Sequence, residues 1–572
     1  MKFLVKKIYI ILSLLVILIT DTHTLARDNE IQYTRENISN YFQGIVSTNQ
    51  HHNKEAFKYL KKVESIKDKH SQFNIEFIRT LILLEKFKEA FAFSKNVWSK
   101  DELFFEVDLL LGLNSFLKKD YLTAEKYFKR LNKISRYNLF FDNFMGNILI
   151  SWIRASQGNE IESFKFIEKI PQPYYHLKRT QNIFLQCYFD SNETQKSLEE
   201  LISDEEYNFS RYNFFLINYL LANNKIEEAK KIIQSSRKKY DSNLLLKQTE
   251  LFFLNNETEK IRKFFNCKNP KDSLAEFFYV IANLYSSQQD YKLSNFYLKI
   301  SLFLNKNFLT NKALLAENLY YQKKNKEAKK TYISLKSIGK IYSWYSSKSI
   351  ASILLDEKGK LYSVNNLEKD FNSLSNPNFD HYYELANFYK DNQYYKKSIK
   401  YYSIALNKIN KDHQLYPKIL DRRGTSYERL GEWDNAEKDL MESLEILPDQ
   451  PHVLNYLAYS WIDKGINLDR GLEMLKKATE LRKNDGYIID SLGWAYYAKK
   501  NYVKAKFYLQ KAVELLPDDP IINDHYADSL WMLNKNIQAR HVWNSILQLK
   551  ETEQELKDSI KKKLIFGITK QL

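Results

Sequence analysis

At 572 residues the chain is longer than one ordinary domain, and with 13 Gly and 9 Pro it lacks the turn residues for many hairpins, tight βα turns or phosphate-cradling loops. At 44% hydrophobic and 15% aromatic it is far too apolar for a disordered chain, which leaves a large helical protein or one helical unit repeated many times. The formal charge of +17 comes from 87 basic residues, only 16 of them Arg, scattered along the whole chain; this pattern argues against a selected nucleic-acid patch.

In chain order, the N-terminus comes first. Lys2, Lys6 and Lys7 form a positive segment, Ile8 to Ile19 is an apolar run of 12 residues, and Thr24-Leu25-Ala26 offers small residues at a cleavage site. This is the three-part pattern of a secretory signal peptide, residues 1–26, with cleavage expected after Ala26. The alternative is an uncleaved anchor, although the run falls short of the roughly 20 residues that span a bilayer. The expected location is the periplasm, soluble or peripheral to a membrane, with no transmembrane helix after cleavage.

Beyond it the chain repeats itself. One unit reads PKILDRRGTSYERLGEWDNAEKDLMESLEILPD from Pro417, another GYIIDSLGWAYYAKKNYVKAKFYLQKAVELLPD from Gly486. Gly424, Tyr427, Ala436, Leu440, Ser443 and Pro448 of the first stand at the same offsets as Gly493, Tyr496, Ala505, Leu509, Ala512 and Pro517 of the second. Small residues let two antiparallel helices approach, large apolar ones fill the space between hairpins, and Pro stops the second helix. The small position at the start of each second helix can be followed back as Ala539, Ala505, Gly471, Ala436, Ser398, Ser363, Ala328, Ser294, Ile261, Ala229, Ser197, Ser163, Ala124, Ala90 and Ala56. Ile261 and Ser363 mark the weakest units. The candidate boundary is Asn376-Pro377, giving a divergent N-terminal array over 27–376, a regular C-terminal array over 377–550, and a capping helix with tail over 551–572.

This pattern resembles the tetratricopeptide (TPR) repeat. The resemblance implies an all-α fold: a right-handed TPR superhelical solenoid of about 13–15 helical hairpins. The run from Val453, VLNYLAYSWIDKGINLDRGLEML, with NDGYIIDSLGWAYY and DPIINDHYADSLW after it, is similar to exported bacterial TPR adaptor proteins. Some of those present substrates to carboxyl-terminal processing proteases. That implies a non-enzymatic protein–protein interaction scaffold whose partners are proteins or peptides, such a protease among them. The alternative is a binder of nucleic acid or an anionic envelope surface, which steep salt dependence would reveal.

Catalytic signatures are missing: no GxxxxGK[ST], GxGxxG, HExxH or GxSxG occurs, and no catalytic residue, cofactor or metal is expected. His51, His52 and Glu55 share helical spacing but read as a solvated turn. Cys187 and Cys267 form no CxxC pair and are either two buried thiols or one isolated bridge. In TPR arrays the first helix of each hairpin lines the concave groove. Carried onto this chain, that implies Asp421, Thr425, Asn455, Tyr459, Asp490, Trp494, Tyr497, Asp524, Asp528 and Trp531. Asp421, Asp490 and Asp524 stand where carboxylate-clamp domains carry Lys, so an acidic, aromatic groove for a polar or basic peptide is expected. The same aromatics read equally well as inter-repeat core. Reversing Asp490 and Asp524 to Lys is expected to weaken partner capture and leave helicity intact.

Overall fold

The computed structural model describes residues 34–67, 70–134 and 144–568. The signal-peptide segment lies outside them. Among the described residues there is no strand, and no helix is long and apolar enough to cross a membrane. Among the described residues the α-helices come in fifteen consecutive pairs, from Arg35–Asn49 with Asn53–Lys62 to Pro520–Met532 with Asn536–Ile546, followed by Gln554–Phe566.

The small positions read from the sequence are where the paired helices meet. Fourteen of the fifteen are buried. The exception is Ser197, which is only half-buried; in the helix Thr194–Ile202 it is Thr194 that is buried at the contact, with Leu198 and Leu201 below it. The large residues four positions on, such as Leu60, Phe128, Ile167, Leu298 and Tyr402, are all buried. Gly493 is required by a close approach: a Cβ there would lie 2.6 Å from Leu509 Cγ and 3.1 Å from the Leu509 backbone nitrogen.

The scarcity of glycine has a structural counterpart. Every pair is joined through a residue with positive φ, and in only four turns is it Gly, at Gly158, Gly359, Gly431 and Gly465. Elsewhere residues such as His51, Glu85, Asn224 and Lys500 take the left-handed conformation. The backbone closes the first helix there: Glu85 N–H donates to Ile82 O and Lys86 N–H to Leu81 O at 2.8 Å, the Schellman pattern. Tight turns are thus made without glycine. Asp485 and Asp519 then start new helices, their side chains accepting from the first backbone N–H groups of Gly486–Ala498 and Pro520–Met532.

The described residues form two compact units that divide between Ile353 and Leu354. Their boundary falls inside the helix Lys340–Lys358, upstream of Asn376-Pro377. The first unit has one dominant core, running from Leu60 to Leu315. Its array also closes on itself. Helix Tyr291–Leu304 packs on Ser71–Leu83, Phe303 stacks on Phe87 with ring centroids 4.0 Å apart, and Lys292 reaches Glu76 at 2.7 Å. Helix Pro270–Ser287 packs on Phe144–Ser156 and Tyr175–Tyr188. Its fully buried Glu276 takes a bidentate pair from Arg211 at 2.7 and 2.8 Å. Cys187, on Tyr175–Tyr188, is bonded to Cys267 in the segment before Pro270, with Cα atoms 5.9 Å apart. Of the two readings left open by the sequence, the bridge is the one formed. In the second unit the core is divided into smaller clusters, each shared by neighbouring hairpins.

Candidate functional site

The first helices Tyr416–Glu428, Pro451–Asp463, Gly486–Ala498 and Pro520–Met532 carry the expected groove residues at matching positions. Neighbouring first helices touch, Pro451–Asp463 on Gly486–Ala498 and Gly486–Ala498 on Pro520–Met532, so these positions form one row within the second unit. The two ends of the row differ in whether their polar groups are already partnered.

Toward the C-terminus they are. Both carboxylate oxygens of Asp490 lie 3.0 Å from His525 Nδ1. The His525 ring stacks on Trp494 at 4.0 Å, and Trp494 stacks on Tyr497 at 4.6 Å, a continuous pile of three rings. Burial acts to lower the His525 pKa, but Asp490, with Asp524 and Asp528 behind it, holds it above the ordinary histidine value. Asp524 and Asp528 both accept from Lys563 Nζ, at 2.8 Å, and Lys563 belongs to the helix Gln554–Phe566. Asp528 also accepts from Trp543 Nε1 at 3.2 Å. Burial first, and the Asp524 charge second, push Asp528 up to about 6. Burial acts to lower the Lys563 pKa, but these two carboxylates hold it above the lysine range. Trp531 lies against Trp543 and beneath the Arg540 guanidinium.

Toward the N-terminal end the groups are open. Asp421 is half-buried, its carboxylate has no hydrogen-bond or ion-pair partner among the described residues, and burial raises its pKa. Thr425 beside it donates its hydroxyl to the Asp421 carbonyl. One helix on, the buried Asn455 Oδ1 has no hydrogen-bond partner among the described residues. Tyr459 is half-buried, and burial, then Asp490 and Asp463, push its pKa up to about 12.

Sequence reasoning missed His525 and Lys563. Each meets its carboxylates across 35 to 39 residues. The only signal available was the repeat register, which places His525 and the capping helix one unit beyond Asp490 and Asp524. The expectation for Asp490→Lys and Asp524→Lys changes accordingly. Both carboxylates are buried in ion pairs, so reversing them would set an ammonium against His525 or Lys563 and damage the fold itself.

The model of the tetratricopeptide repeat family matches residues 488–519, the hairpin that carries Asp490, Trp494 and Tyr497. That hairpin is a tetratricopeptide repeat. A TPR repeat-containing protein of Pseudomonas aeruginosa is 29% identical over 120 residues. That stretch spans 20% of this chain and 20% of the relative. Among solved structures, yeast Tom70 is 17% identical, covering 79% of this chain and 94% of its own, at a TM-score of 0.33. A TPR protein from Parabacteroides merdae is 19% identical over 38% of this chain and 86% of its own, at 0.33. MamA from Desulfovibrio magneticus RS-1 is 15% identical over 32% of this chain and 99% of its own, at 0.28. None of these names a partner for the TPR row described above.

Proposed function

We propose that this TPR protein is an exported scaffold that acts by binding rather than by catalysis, and that it holds a lysine- or arginine-bearing peptide segment along the first helices of its second unit. The observation that carries the reading is the pair Asp524 and Asp528 around Lys563: this row already grips one ammonium group between two carboxylates. Asp421 occupies the position equivalent to Asp524, with a carboxylate that has no partner of its own. One helix on, the half-buried Tyr459 offers its ring to an apolar stem. Export is supported by the N-terminal pattern ending at Ala26 and by the Cys187–Cys267 bridge, a kind of bond that persists in oxidising compartments.

The first partner to test is a carboxyl-terminal processing protease and its substrates, on the resemblance carried by the run from Val453. Purified protein is titrated with fluorescent unstructured peptides that differ only in Lys or Gln at a central position. The Lys peptide is expected to bind more tightly. Asp421→Asn and Tyr459→Ala should each weaken it roughly fivefold or more with an unchanged circular dichroism spectrum. Equal affinity for both peptides, or indifference to both variants, overturns the assignment.

A further inference from the structure

The closure of the first unit creates a cavity of about 650 Å3. One wall is the turn and first helical residues Glu85 to Glu89, and the other runs from Lys299 to Lys312, more than 200 residues later in the chain. Five lysines line it, Lys86, Lys88, Lys299, Lys306 and Lys312. Two are neutralised locally, Lys86 by Glu89 and Lys299 by Glu85, at 2.5 Å each. Lys88, Lys306 and Lys312 have no ion-pair partner among the described residues. Three lysines without an ion-pair partner therefore border one concave space. The surrounding potential acts on Glu85 as well: burial acts to raise its pKa, but Lys299, Lys312 and Lys330 hold it below the ordinary carboxylate value.

We propose that this cavity binds a phosphorylated ligand. A single carboxylate would leave most of the charge unmatched, whereas a phosphate ester or polyphosphate offers several oxygens and two or more negative charges to ammonium groups approaching from both walls. Phe303 and Leu302 supply an apolar side to the same space, suited to the uncharged portion of such a ligand. The site is separate from the peptide-binding row and owes nothing to it. Phosphate groups of this kind come either from a soluble phosphoester or from a phosphorylated lipid headgroup.

The test uses the full chain, inorganic tripolyphosphate as the soluble probe, and phosphatidylcholine vesicles with and without phosphatidic acid. Tripolyphosphate is expected to bind the unaltered protein at physiological salt, and Lys88→Gln/Lys306→Gln/Lys312→Gln should weaken it roughly tenfold or more. The charge-matched control is Lys230→Gln/Lys231→Gln/Lys238→Gln, on the exposed side of Ile226–Lys239, and it should bind as before. Should the triple variant melt early, the exposed pair Lys88→Gln/Lys306→Gln replaces it. Flotation with phosphatidic acid vesicles that tripolyphosphate competes away identifies a lipid headgroup. Tripolyphosphate binding without flotation identifies a soluble ligand. No binding to the unaltered protein, or an equal loss in the control variant, overturns the proposal.

Discussion

Lys563 shows how one side chain sets the chemistry of a surface. Without it, Asp524 and Asp528 would be two buried like charges; with it they form a three-member cluster flanked by His525 and Trp543. The cluster has a defined pH signature. Asp528 binds its proton more tightly in the folded state (about 6) than unfolded (3.8), so the stability it contributes is fully present below the unfolded value and is lost as pH rises through 6. His525, also raised, adds stability that is fully present below 6.5 and is lost as pH rises through its folded value. Denaturant midpoints followed by tryptophan fluorescence should therefore fall between pH 4.5 and 8. Asp528→Asn should remove the lower part of that fall. An unaltered pH profile in this variant would show that Asp528 does not titrate in this window. Sequence reasoning put Asp490, Trp494, Tyr497, Asp524 and Asp528 on one surface. It could not tell a free carboxylate from an occupied one, because the occupants sit on other helices.

At the scale of the hairpin, two constraints recur and they differ in how openly the sequence displays them. The packing constraint is plain, since small residues let the helices meet, and it appears as Ala, Ser or Gly at a spacing near 34, with Ile261 the one large residue at such a position. The one slip, Thr194 for Ser197, occurs where both residues are small and period alone cannot choose between them. The turn constraint is hidden, because the left-handed position is filled by Glu, Lys, Gln, Asp, Asn or His in eleven of the fifteen turns and by Gly in only four. Non-glycine residues pay roughly 1–2 kcal/mol in that conformation. Lys500, exposed and at φ 59°, is a position where that cost can be removed. Lys500→Gly should raise stability by up to about 1 kcal/mol after the extra unfolded-state entropy of glycine is subtracted. Chemical denaturation checks it, with Lys500→Ala as the comparison that keeps the strain. A glycine variant no more stable than the alanine one would show the turn is not strained.

At the scale of the molecule, the same repeat builds two differently organised units. In the first, contacts between residues over 200 apart draw the array into one core and the bridge at Cys187–Cys267 closes a loop of 80 residues. In the second, each hairpin answers mainly to its neighbours, as expected for a quasi-one-dimensional array. Loss of the bridge should therefore act on the first unit. Cys187→Ser, or reduction, is expected to cost about 2–4 kcal/mol there. The stacked rings at Trp494 and the melting of the second unit should not change. A loss shared equally by both units would contradict this division, and differential proteolysis distinguishes the two outcomes.

The sequence by itself determined the helical class and the hairpin period, because these follow from local spacing and from the size of the residue at each helix contact. Only the tertiary structure decided the pairing of Cys187 with Cys267, the capture of Asp490 by His525 and of Asp524 and Asp528 by Lys563, and the lysine-lined cavity beside Phe303. Each of these depends on how much every hairpin rotates against the one before it. Small rotations accumulate over many repeats into contacts between residues that no local pattern relates.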